Sequence, residues 1–87
     1  MHEHALMNDL MRRILATAVA EKATRVTGVS VRLGALSHLT PAHFAEHFEQ
    51  AAAGTIAEGA EVHSAASDDI NDPHAADVVL VDVEVET

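Results

Sequence analysis

The sequence predicts an α+β fold, with two helices packed on one face of a three-stranded mixed sheet in the order α-β-α-β-β. Three observations carry this. Apolar residues recur at helical spacing from His4 onward, and the period then falls to two around Val29, Val31 and Leu33. Thr40-Pro41 supplies the start of a second helix. The stretch from Asp77 to Glu86 alternates again and is rich in valine.

From His4 to about Ala23, the positions Leu6, Met7, Leu10, Met11, Ile14, Leu15, Ala18 and Val19 form a wide apolar face. Asn8, Asp9, Arg12, Arg13, Glu21 and Lys22 fall largely opposite. The methionines read as adaptable core filler rather than metal ligands. Past Thr24, Val29, Val31 and Leu33 alternate with Ser30 and Arg32 as a half-buried strand, and Gly34 ends it.

Thr40 is a natural N-cap, and Pro41 follows at the first helical position, where its missing N–H is harmless. Phe44, Phe48 and Ala51 or Ala52 make the apolar stripe of this helix, and Gly54 stops it. Thr55 to Gly59 connects to a strand over Val62–Ala66, with Val62 and Ser64 on one face and Glu61 and His63 on the other. Ser67 to Ala76 is polar, acidic and contains a proline, so it reads as a loop. In the last strand, Val79, Val81, Val83 and Val85 are expected on one face, with Leu80, Asp82, Glu84 and Glu86 on the other.

Eighty-seven residues make one small domain, and a domain of this size buries only about 60% of the surface its unfolded chain exposes. There is no cysteine, hence no disulfide and no Cys-based structural zinc site, and no tryptophan or tyrosine. The core is therefore aliphatic, with Phe44 and Phe48 the only aromatics. No apolar run reaches the ~18 residues of a membrane span, and the start lacks a basic region followed by an apolar block. A cytoplasmic protein is expected.

The basic residues Arg12, Arg13, Lys22, Arg25 and Arg32 precede a stretch that carries only acidic charges, and the formal net charge is −9. That balance opposes nucleic-acid binding, because phosphates are repelled. It suits solubility, and it attracts cations or a basic protein partner.

The first four residues, Met1-His2-Glu3-His4, carry the clearest chemistry. With histidine second, the α-amine, the amide nitrogen between Met1 and His2 and the His2 imidazole close two fused rings on one ion. Ni(II) and Cu(II) favour such tetragonal nitrogen donors. Because His2 is bulky, the initiator Met1 is expected to be retained.

Three blocks, Met1-His2-Glu3, RVTGVSVRLGALS (Arg25 to Ser37) and GTIAEGAEV (Gly54 to Val62), occur in order with a valine-rich, acidic C-terminal strand. In these the chain resembles the HypA/HybF family of hydrogenase maturation proteins, which deliver nickel. The resemblance covers about three quarters of the chain. It implies a nickel metallochaperone that holds Ni(II) through the N-terminal amine and His2 with Glu3 nearby. The implied partner is a maturation GTPase or the large subunit of a nickel enzyme.

Two departures stand out. Family members insert a zinc domain with two pairs of cysteines before the last strand, where this chain has only the loop from Ser67 to Ala76. The position where some members place an additional Asp ligand falls at Thr40, so His38 or His4 is the candidate fourth donor.

His43-Phe44-Ala45-Glu46-His47 matches the H-x-x-E-H pattern of a zinc protease helix. That enzyme reading is rejected, since it requires a third ligand from a distant helix and a large cleft. A solvated face of the second helix, open to adventitious metal, accounts for the pair. His63 reads as an exposed strand residue and His74 as a loop residue. No nucleophile–base arrangement and no glycine-rich phosphate loop is apparent. The competing function is a metal-free interaction module that pairs or dimerises through an exposed sheet edge.

Overall fold

The computed structural model contains α1 (Glu3–Ala20), β1 (Arg25–Leu33), α2 (Pro41–Ala52), β2 (Glu61–Ala66) and β3 (Val78–Glu86), the α+β order expected. It describes residues 3–87, with side chains from Ala5 onward.

The sheet runs β2-β1-β3, with β1 parallel to β2 and antiparallel to β3. Parallel neighbours need a crossover, and α2 is that crossover. β1 takes the centre and is the most buried strand, with Val26, Val29, Val31 and Leu33 all buried. One core joins them to Met7, Leu10, Met11, Ile14 and Ala18 of α1 and to Phe44, Phe48 and Ala52 of α2. The other face of the sheet carries Arg32, His63, Ala65 and Val81, all exposed.

The end of α1 falls short of the expected Ala23. The Ala23 N–H donates to the Ala18 carbonyl at 2.9 Å and the Lys22 N–H to the Val19 carbonyl at 3.0 Å. This pair of bonds closes a helix around a left-handed residue, here Lys22 at φ 55°. Val19, expected on the apolar face, is 74% exposed. It follows the buried Ala18 by about 100° of helical rotation and leaves the stripe.

α2 starts as expected. Thr40 is extended (φ −92°, ψ 159°), and its hydroxyl accepts the His43 N–H at 3.1 Å. Ala53 is the C-cap, and Gly54 turns the chain at φ 82°. β2 keeps the expected faces, with Val62 and Ser64 half-buried and Glu61 and His63 exposed.

β3 departs from simple alternation. Ser30 pairs with Asp82, whereas the next residue, Val31, pairs with Leu80, so Val81 has no opposite number. This bulge flips the parity of everything before it. Val78 and Leu80 pack on the core together with Val83 and Val85, while Val81 is 62% exposed. The expectation that Val79 and Val81 share the face of Val83 and Val85 is corrected accordingly. A matching irregularity in β1 leaves Thr27 unpaired between Val26–Val85 and Gly28–Glu84.

The stretch from Ser67 to Asp77 is a loop held by its own polar groups. Asp69 and Asp72 carboxylates accept the N–H groups of Asn71 and His74 at 3.0 and 2.8 Å. The Gly34 and Leu36 N–H groups donate to the carbonyls of Asp77 and Ala75 at 2.9 and 2.7 Å. Ala75 is thereby buried against the end of β1.

Candidate metal-binding site

Donor placement begins with α1, whose amphipathic face fixes how its first turns lie. Leu6, Met7 and Leu10 meet Leu39, Phe44, His47 and Val78 around a gap of about 10 Å³. Such a space holds about one water, and apart from His47 its lining is apolar. Beside the gap, Met7 and Asn8 face His47, Gln50 and Ala51 of α2.

Met1 and His2 lie outside the described residues. Glu3 and His4 open α1 in the backbone, and their side chains likewise lie outside. His38 is exposed and left-handed at φ 62°, a conformation uncommon for a non-glycine residue but less so for histidine. It follows Ser37, whose hydroxyl donates to the Gly34 carbonyl at 2.7 Å. The next residue, Leu39, packs against the core and lines the same gap as Leu6, Met7 and Leu10. The loop bearing His38 and the start of α1 therefore meet.

The remaining histidines sit in three places. The Nε2 atoms of His43 and His47 are 3.0 Å apart, and their ring centroids are 4.6 Å apart. His43 is exposed as expected, but His47 is half-buried, so this face of α2 is not wholly solvated. Spacing held the signal: His47 stands at i+3 from Phe44 and beside Phe48, on the edge of the apolar stripe. His63 is exposed on β2, with Nε2 2.8 Å from the Glu61 carboxylate. His74 lies 3.2 Å from the Asp77 carboxylate through Nδ1. Sequence alone named neither acidic partner.

Among the described residues, no three His, Asp or Glu side chains converge as a metal cage. A full ligand shell therefore needs donors from the first residues, or water. Arg12 and Arg13 both lie on Asp9, at 3.2 and 3.1 Å, and Arg32 lies 4.0 Å from Asp72. Surface pairs of this kind are worth little to stability, but they engage three of the few cations. Among the described residues, no helix is long and apolar enough to cross a membrane.

Comparison with known proteins points to one family. The family profile described as "Hydrogenase/urease nickel incorporation, metallochaperone, hypA" matches residues 1–70. The hydrogenase maturation factor HypA of Picosynechococcus is 37% identical over 62 residues, which is 71% of this chain and 55% of that protein. That of Thermococcus kodakarensis is 45% identical over 62 residues, 71% of this chain and 45% of its own length. That of Archaeoglobus fulgidus is 39% identical over 62 residues, 71% of this chain and 56% of its own. The chain thus spans about half the length of the relatives it matches.

Proposed function

This chain belongs to the HypA family of nickel-incorporation metallochaperones, and we propose on that footing that it holds Ni(II) at its N-terminus for delivery to a nickel enzyme. The α-amine, the amide nitrogen between Met1 and His2 and the His2 imidazole form the chelate, with Glu3 beside it. His38 or His4 supplies the fourth donor. The observation that carries the reading is that the family match takes in residues 1–70, and so includes Met1-His2-Glu3. The gap that Leu39 shares with Leu6 and Met7 adds to it, since it brings the His38 loop beside the first turns of α1.

The recipient is a maturation GTPase or the large subunit of a nickel enzyme, with hydrogenase the client that the relatives' names indicate. The chain forms a single nickel-binding domain, and the loop from Ser67 to Asp77 closes the sheet where a cysteine-bearing insertion would otherwise stand. With no cysteine in the chain, no thiolate zinc site is available to it.

A second reading, a metal-free interaction module or homodimer, draws on the sheet order, which leaves β2 and β3 as edges. Calorimetric Ni(II) titration of protein with its native N-terminus, beside His2→Ala, separates the two. A tightest Ni(II) site weakened at least tenfold in His2→Ala is the expected result. Equal binding by both proteins removes the chelate, and no binding by either leaves the metal-free interaction module.

A further inference from the structure

His43 and His47 are one helical turn apart on α2, and their Nε2 atoms approach to 3.0 Å. Side chains at i and i+4 are neighbours on a helix, but neighbouring histidines need not aim the same ring nitrogen at one point. These do. An imidazole nitrogen binds a divalent transition metal at about 2.0–2.1 Å. Two such nitrogens at right angles on one ion are therefore about 3 Å apart, and a tetrahedral pair stands a few tenths wider. The observed separation is thus the bite of two cis ligands. It equally suits one Nε2–H donating to the other ring, so the metal-free pair is held ready by a bond that an ion replaces.

We propose that His43 and His47 form a two-imidazole binding site for a divalent transition-metal ion of the Ni(II)–Cu(II)–Zn(II) group. The surroundings fit. His47 is half-buried beside Met7 and Asn8 of α1, which restricts its ring, whereas His43 is exposed and leaves the ion reachable from solvent. The Thr40 cap fixes the first turn of α2, from which His43 projects. These two imidazoles leave further coordination positions for water or for other donor groups. Glu3, the first residue of α1, is four residues ahead of Met7, or about 6 Å along the helix. The imidazole pair accordingly lies beside the first turns of α1 and serves as a second station for the same class of ion. It stands on the α2 geometry alone and does not require the N-terminal chelate.

The test uses the full chain carrying His2→Ala, so that the N-terminal chelate is absent from both arms. Diamagnetic Zn(II) is titrated while the imidazole nitrogens are followed by two-bond ¹H–¹⁵N NMR. The expected result is joint movement of the His43 and His47 Nε2 resonances, saturating at one ion per chain. The further change His43→Gln, at an exposed position that leaves the packing of His47 in place, is expected to weaken binding at least tenfold with the same thermal midpoint. Unmoved His43 and His47 resonances at saturating Zn(II) would overturn the site, as would undiminished affinity in His43→Gln. The N-terminal reading is judged separately, by Ni(II) binding to the native protein against His2→Ala, so either inference can fail alone.

Discussion

Lys22 shows how much one residue can be asked to absorb. It ends α1 in the left-handed region at φ 55°, where a Cβ costs roughly 1–2 kcal/mol and glycine is the usual occupant. Its N–H and that of Ala23 nonetheless satisfy two terminal carbonyls of the helix. Lys22→Gly keeps both bonds and removes the steric cost, and is expected to stabilise the protein by about 0.5–1 kcal/mol in urea unfolding. No gain would mean that the Lys22 stem packs better than its exposure suggests. Thr40 is the opposite case, a residue well matched to its place. Thr40→Ala removes the acceptor for the His43 N–H and is expected to cost about 1 kcal/mol. The cap was legible because Thr-Pro before a helical stripe is a local signal. The end at Lys22 was not, because neither glycine nor proline marks it.

At the scale of elements, the two bulges decide which valines the sheet buries. Val78-Val79-Leu80-Val81 is apolar at every position, so parity cannot be read from hydrophobicity there. Only the pairing with β1 sets it: Val31 opposite Leu80 and Ser30 opposite Asp82 squeeze Val81 outward. Threonine in place of valine keeps the shape and adds a hydroxyl that needs a partner when buried. Val81→Thr is expected to change stability by less than about 0.5 kcal/mol. Val83→Thr, on the core face, is expected to cost about 1–2 kcal/mol. Equal effects in thermal unfolding would contradict the bulge. The same logic explains Val26, which shares a face with Val29 at an odd spacing because Thr27 is the extra residue between them.

Across the whole molecule, the loop from Ser67 to Asp77 is packed onto the end of β1, most tightly at Gly34. A Cβ at Gly34 would overlap the backbone carbonyl of Ala75, and Ala75 is itself buried. Gly34→Ala must push the loop away and break the bonds from Gly34 and Leu36. The expected cost is about 1–3 kcal/mol, with faster amide exchange at Leu36. Gly28 offers the contrast. There the obstacle is the Glu84 carboxylate, the mobile end of a side chain on the open face, so Gly28→Ala is expected to be tolerated better. A small domain without disulfides has little stability in reserve, so such differences register clearly in the melting temperature.

The sequence by itself determined the element order, the capped start of α2, the aliphatic core around Phe44 and Phe48, and the family. All of these rest on local chemistry: periodicity, capping residues, and short motifs read in order. Tertiary structure decided the parity of β3, the ion partners of His63 and His74, and the convergence of His43 with a half-buried His47. Those depend on register and on which surfaces meet. Both are set by packing between segments far apart in the chain, which no local pattern encodes.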